Sequence, residues 1–287
     1  MMSIEISLCI PTMRRWSFLQ TNLPRYLSNK YIKEIIICDE TGEDYDILMT
    51  HYSENPKIKL FKNEQRLGPF LNKLSCMEKA TYNWICLMDS DNFADIDYFD
   101  SLQTFTNGDL SSNIVYCPSF AKPRFNYTSI QNILISKSNI QTILKSENKQ
   151  KLEVSFNTGN YCIHKNNVDI IKTLLQNDAS FTNIATTYFP CDVIFMNYLL
   201  LIQNVAFILV PNMHYEHVVH DGSIYTTTCN QFSTLINVVH RLFNNIGIVS
   251  YVNNTNNIQS DTITHDTSLI PDVPKNKGLR QGVQWKY

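Results

Sequence analysis

The chain has 287 residues, a formal net charge of −2, 44% hydrophobic residues and 17% charged residues, which supports one large α/β domain with an appendage and excludes a disordered chain. So small a net charge also argues against a broad electrostatic surface for nucleic acid or an anionic membrane, a local basic cleft aside, so a phosphate-bearing ligand must be small. Eight cysteines, at 9, 38, 76, 86, 117, 162, 191 and 229, form no CxxC pair and read as reduced core residues. The opening "MMSIEISLCIPT" lacks a basic region followed by a long apolar one, so no secretory signal and a cytoplasmic location are expected.

In chain order, the predicted strand "EISLCI" ends at Pro11 and Thr12, and "WSFLQTNLPRYLS" follows with apolar residues at helical spacing. The strand "IKEIIICDE" terminates in Asp39 and Glu40 before a turn at Gly42, and a helical "DYDILMTHYS" leads past Pro56 to a short strand "KIKLFKN". An amphipathic helix "FLNKLSCMEKATYN" then feeds the strand "WICLMD". Such alternation predicts a parallel sheet with helices on both faces, and ligands bind such sheets at the carboxyl ends of the strands. Farther on, "NIVYCPSF", "NILISK" and "VSFNTGNYCIHK" read as strands between polar loops, forming an acceptor-facing half with added antiparallel strands. The segment "VIFMNYLLLIQNVAFILV", residues 193–210, has the length of a short membrane span. Asn197, Gln203 and Asn204 divide it instead into a buried helix through Ile202 and a strand "VAFILV" stopped by Pro211. After Tyr225, "CNQFSTLINVVHRLFNNIG" predicts a helix, and from Asn253 the chain turns polar, loosely ordered or docked only in places.

The stretch "ICLMDSDNF" carries the first chemical signal. Carboxylates at i and i+2 of an extended segment point to one side, so Asp89 and Asp91 could share a divalent cation that holds a diphosphate. The alternative is a solvated Asp-Ser-Asp-Asn turn that caps the next helix. A hydrophobic strand followed by DxD also opens haloacid-dehalogenase-like phosphatases. Those enzymes need the nucleophile on the first core strand, whereas here three predicted strands precede the motif and no matching downstream lysine and acidic pair stands out.

Three blocks in order resemble glycosyltransferase family 2 on the GT-A fold, over about residues 4–225: "CIPTMRR", "IIICDE" and "NEQRLGPFLNKLSCMEKATYNWICLMDSDN". The resemblance implies that Pro11 and Thr12 line the nucleobase pocket, largely through backbone, that Arg15 lies near the donor phosphates, and that Asp39 accepts the uracil N–H. It further implies that Arg66 flanks the base or phosphates, that Asp89 contacts the ribose and that Asp91 holds the metal. Simpler roles exist: Asp39 could cap the turn at Gly42, and Arg66 could pair with Glu64 or Glu78. "NTGNY", residues 157–161, resembles the loop shaping the sugar pocket, although Gly159 could be a turn glycine.

Glycosyl transfer needs charge neutralisation on the departing diphosphate and removal of a proton from the attacking hydroxyl. The element "YFPCDVIFMNYLL" resembles the family's acidic pair at a helix start, but here the pair is Cys191 and Asp192, so the base role falls to Asp192 alone. Pro190 suits a first helical turn and would leave Asp192 near the positive end of the helix dipole, where simple capping is the alternative role. "HYEHVVHDGSIY" places His214, His217 and His220 within seven residues and is similar to a late metal-binding element, with His217 or His220 as the ligand. Imidazole suits manganese better than magnesium.

The expectation is therefore an α/β GT-A fold, Rossmann-like with a mainly parallel central sheet flanked by helices and a small C-terminal helical extension. Residues 1–225 form the glycosyltransferase domain, with 1–105 as nucleotide-binding half and 106–225 as acceptor half, and 226–287 form a helix and polar tail. The expected activity is metal-dependent (Mn2+ or Mg2+), inverting transfer of a sugar from a UDP-sugar to a hydroxyl of a glycan or glycoconjugate, with no nucleic-acid partner and no transmembrane segment. Alternatives are a catalytically inactive nucleotide- or sugar-binding GT-A module and a haloacid-dehalogenase-like phosphatase. A sugar-1-phosphate nucleotidyltransferase is disfavoured, since no GxGxR follows the first strand. Sugar, acceptor and oligomeric state stay open.

Overall fold

A computed structural model describes residues 3–187, 192–220, 222–223, 243 and 246, all within one unit spanning Met1–Asn256. The first strand, β1 (Ile6–Thr12), is buried at all seven positions because it has neighbours on both edges. It pairs in parallel with β2 (Ile32–Asp39), which in turn pairs in parallel with β3 (Ile58–Lys62). On its other edge lies β4 (Trp84–Leu87), also parallel. The intervening crossovers carry α1 (Trp16–Ser28), α2 (Glu43–Tyr52) and α3 (Pro69–Glu78). The strand order 3-2-1-4 reverses direction at β1, which opens a crevice between the carboxyl ends of β1 and β4.

Pro11 sits inside β1 without breaking the sheet. β4 pairs only as far as Cys9, so the missing Pro11 N–H costs no bond on that edge. The helix predicted to reach Asn83 ends at Glu78. Buried Glu34 supplies the reason: it accepts the Thr81 N–H at 2.6 Å and the Thr81 hydroxyl at 2.8 Å, and Ser7 Oγ accepts the Tyr82 N–H at 3.1 Å. These tertiary bonds offer the backbone an alternative to another helical turn.

Beyond β4 the chain adds β5 (Phe93–Ala94), α4 (Tyr98–Thr106), β6 (Ile114–Lys122) and β7 (Phe125–Asn126), then short helices α5 (Ile140–Leu144) and α6 (Lys149–Ser155). It continues through β8 (Cys162–His164), α7 (Lys165–Asn177), α8 (Ala179–Thr187), α9 (Asp192–Ile202) and β9 (Ala206–Glu216). The sheet extends as β4-β8-β6-β9-β5, with β8 antiparallel to both neighbours, β6 and β9 parallel, and β5 antiparallel to β9.

Three expectations change here. "NILISK" contributes a single bridge, Ile135 to Phe207, and not a strand. Of "VSFNTGNYCIHK", residues 154–155 close α6 and only Cys162–His164 is strand; His164 then caps α7 by accepting the Asn166 N–H. The strand expected to stop at Pro211 runs on to Glu216, because a register shift opposite Pro118–Phe120 absorbs the proline as a bulge.

The membrane-like stretch resolves into α9 and β9 as expected. Residues 193–202 are all buried, so α9 is apolar on every side because it lies wholly within the protein. Among the described residues no helix is long and apolar enough to cross a membrane. The helix and tail expected after Tyr225 lie outside the described residues, apart from Phe243 and Ile246.

Candidate active site

The site begins with the loop that leaves β1. Thr12 Oγ1 donates to Asp44 Oδ2 at 2.6 Å, and Asp44 also accepts the backbone N–H groups of Arg15 and Trp16 at 2.9 and 3.0 Å. A buried carboxylate on α2 therefore caps α1 and fixes the "PTMRRW" turn, with Arg14 at φ 59. Sequence reasoning passed over Asp44. Its signal was an acidic residue one turn after the strand end at Asp39. Pro11 and Thr12 are both buried at this edge.

Asp39 closes β2 with 0% exposure. Its two carboxylate oxygens accept the Thr41 and Tyr45 N–H groups at 3.1 and 2.8 Å, which is the turn-capping role. Burial raises its pKa against those donated bonds. Its neighbour Glu40 accepts the Gly68 N–H and the Asn63 amide and so ties the β2 end to the start of α3. Arg66 stands exposed in the loop between them and, among the described residues, forms no ion pair; Glu78 pairs instead with Lys172 at 2.9 Å.

The DxD segment is a turn and not an extended ladder: the Asn92 N–H donates to the Asp89 carbonyl at 3.1 Å. The two carboxylates accordingly diverge to different partners. Asp91 Oδ2 lies 2.9 Å from His220 Nε2 and 3.5 Å from Arg15 Nε, while Arg15 Nη2 donates to the Gly222 carbonyl at 2.5 Å. Phe18 packs on the His220 ring with centroids 5.2 Å apart. Asp89 turns the other way, to Lys73 Nζ at 3.1 Å, and Lys73 also contacts Asp192 Oδ2 at 2.5 Å. The Asp89 carboxylate is not used to cap α4, whose N-cap residue is Asp97.

Asn92 joins this turn to the late histidines. Its Oδ1 accepts the Val218 N–H at 3.1 Å, and its backbone carbonyl accepts from Asn22. The segment 157–161 holds the turn from below: Asn160 Oδ1 accepts the Asp89 N–H at 2.8 Å, and Tyr161 O accepts the Leu87 N–H at 3.0 Å. Gly159 belongs to close approach and not to a turn of positive φ, since a Cβ there would lie 2.7 Å from Val193 Cγ2 in the first turn of α9. That contact brings the Asp192 end of α9 beside the DxD turn. Pro190 and Cys191 lie outside the described residues.

Among the described residues, the part-buried His217 has no hydrogen-bond partner at Nδ1. Burial lowers its basicity, against the opposing fields of Asp89 and Asp91, which favours the neutral ring that a metal ligand needs. His214 lies on β9 against Phe120, away from the Asp91 pair. Among the described residues no three His, Cys, Asp or Glu side chains converge on an ion position. The Asp91 and His220 atoms are nonetheless separated by the distance that adjacent ligands keep on an octahedral ion with bonds of about 2.1 Å, which is about 3 Å. A carboxylate and an imidazole thus fit a divalent ion whose remaining positions come from phosphate oxygens and water.

Lys73, Asn160 and Asn92 join the site from outside the residues expected there, and Lys73 shares the buried face of α3 with Phe70, Leu74 and Met77.

Comparison with known families and structures bears on the family and the fold. The family model described as "Glycosyl transferase family 2" matches residues 7–169. Comparison with curated proteins gives no match. Among solved structures, S. aureus TarS 1-349 in complex with UDP is 13% identical with a TM-score of 0.57, covering 85% of this chain and 67% of that one. TarS 1-349 in complex with UDP-GlcNAc gives 13% identity and a TM-score of 0.58 over 85% and 68% of the two chains. The mannosyltransferase PcManGT from Pyrobaculum calidifontis, in complex with GDP-Man and Mn2+, is 12% identical with a TM-score of 0.56, covering 85% and 70%. At such identities the likeness shows the shared fold. In a longer TarS structure the matched part is 39% of that chain.

Proposed function

Since the chain belongs to glycosyltransferase family 2, we propose that it moves a sugar from a UDP-sugar to a hydroxyl of a glycan or glycoconjugate, with inversion and with a divalent metal, Mn2+ or Mg2+. The observation that carries this reading is the convergence, at the crevice between β1 and β4, of the Asp91, His220 and Arg15 cluster with Asp89, Lys73 and Asp192. The neighbours' bound UDP, UDP-GlcNAc and GDP-Man with Mn2+ support a nucleotide-sugar donor and a metal for this chain. No phosphatase chemistry follows from the family, and that alternative is set aside.

Asp91 and His220 would hold the ion, with His217 as the further candidate. When bound, the metal neutralises charge on the departing diphosphate. Arg15, now paired with Asp91, is placed to turn its guanidinium to the donor phosphates. Pro11, Thr12, Asp39, Arg66 and Asp89 line the strand ends where base and ribose would lie, and Gly159 the sugar side. Asp39 is fully buried with each oxygen already accepting a backbone N–H, so a uracil N–H would reach it only once the strand end is uncovered. Asp192 would take the proton from the acceptor hydroxyl. The reducing cytoplasm is the proposed setting, supported by six free buried cysteines, of which Cys86 and Cys162 are register partners.

A binding module without turnover is the competing reading, and the ion pair that holds Asp192 to Lys73 speaks for it. Thermal unfolding against UDP, GDP, CMP and UDP-sugars, each with Mn2+, with Mg2+ and with chelator, separates the possibilities. Stabilisation by UDP compounds only with metal is the expected result, and UDP release from a UDP-sugar excludes the idle module. No shift with any nucleotide would reduce the donor reading to a likeness of fold.

A further inference from the structure

Lys73 is 8% exposed and sits on α3 between two carboxylates that belong to different parts of the chain. Its Nζ lies 3.1 Å from Asp89 Oδ1 in the DxD turn and 2.5 Å from Asp192 Oδ2 at the start of α9. It is braced on both sides: Asn160 accepts the Asp89 N–H at 2.8 Å, and Gly159 allows Val193 of α9 to approach closely. A buried ion pair is a weak source of stability, because desolvation of the charges offsets their attraction. Geometry is what such a bridge supplies.

We propose that Lys73 is a positioning residue that fixes the Asp192 carboxylate relative to the donor-binding turn, so that the group receiving the acceptor proton is aligned with the sugar held at Asp89. The proposal rests on the reading of Asp192 as base. Lys73 itself moves no proton. Burial alone would lower its basicity, but the fields of Asp192 and Asp89 outweigh it and hold the ammonium cationic. With Lys73 bonded to one oxygen of each carboxylate, the other Asp192 oxygen is the one left to accept from the acceptor hydroxyl.

The test is a double-mutant cycle of Lys73→Met and Asp192→Asn, with Lys73→Arg as the conservative variant. UDP release from UDP-GlcNAc, UDP-glucose and UDP-galactose with Mn2+ gives kcat and KM, calorimetry gives UDP affinity, and urea unfolding checks the fold. Lys73→Met should lower kcat about 10²-fold, the scale of a misplacement near 1 Å, with KM and UDP affinity within a few-fold. The same change should cost nothing more in the Asp192→Asn background, because residues acting as one unit are not additive. Lys73→Arg should recover part of kcat. An additive cycle, or a loss confined to KM, overturns the positioning role and leaves Asp192 as base. Wild-type rates in Asp192→Asn, or no UDP release by the wild-type protein, overturn the base or donor reading and this proposal with it. If Lys73→Met does not fold, Lys73→Gln, which keeps a polar side chain without the charge, decides: reduced kcat at unchanged KM supports the proposal, and wild-type kcat ends it.

Discussion

The two halves of the molecule organise their chemistry differently. In the half built from β1 to β4, strands are parallel, the first three are each followed by a helix, and the polar residues fall at strand ends within a few positions of the apolar run that places them. In the half built from β5 to β9, strand length is uneven, from two residues in β5 to eleven in β9, most pairings are antiparallel, and the important side chains are delivered by loops and by the first turn of α9. The first half places its polar residues by topology, and the second reaches them by contacts made across long stretches of sequence: His220 meets Asp91 129 residues away, and Asp192 meets Lys73 119 residues away.

The comparison breaks most severely at Asp91. Asp91→Asn should abolish metal-dependent UDP binding, and calorimetry showing unchanged affinity in saturating Mn2+ would move the ion site off the DxD turn. Asp192→Asn should act on the other half alone, lowering UDP-sugar turnover about 10²- to 10⁴-fold while UDP affinity stays at the wild-type value.

Smaller effects test the scaffolds themselves. Glu34 anchors the first half through Ser7, Lys59 and Thr81; burial by itself would raise its pKa, but these bonds hold it at about 2 against an ordinary 4.5. A depressed carboxylate stabilises the fold above its unfolded value and loses that contribution as pH falls, here between 4.5 and about 2. By urea unfolding, the wild-type protein should lose roughly 2–3 kcal/mol more across that window than a Glu34→Gln variant. In the second half, Gly159→Ala should cost about 1–3 kcal/mol through the clash with Val193. Val193→Ala should restore most of it, and an additive pair would mean that the two sites do not touch.

Legibility followed the same divide. "IIICDE", "PTMRR" and "MDSDN" were readable because an apolar run and the polar residue at its end are neighbours in sequence. The second half offered such signals too, and one was missed: Val168, Ile171 and Leu175 mark α7 at helical spacing. The strand pattern of 154–165 misled because Phe156, Tyr161 and Cys162 are buried by separate elements and not by one face of a strand. Lys73 was hidden by its charge, which reads as solvent-facing until two carboxylates from elsewhere in the chain explain its burial. Pro211 looked like a strand terminus because a bulge in the partner pairing is not visible in one sequence.

That bulge also works as a spacer. Between Pro118 and Phe120 on β6, two steps of strand, β9 runs four steps from Val210 to His214. The surplus is even, so the in-and-out alternation resumes in phase, with Met213 and Tyr215 buried as Phe207 and Leu209 are. Removing one residue would turn His214 and Tyr215 over, whereas removing two would keep their facing and draw everything beyond them back by about 6–7 Å of extended chain. His220 would then fall short of Asp91, so the reach of the late histidine is set by how many residues the bulge holds and not by which residues they are.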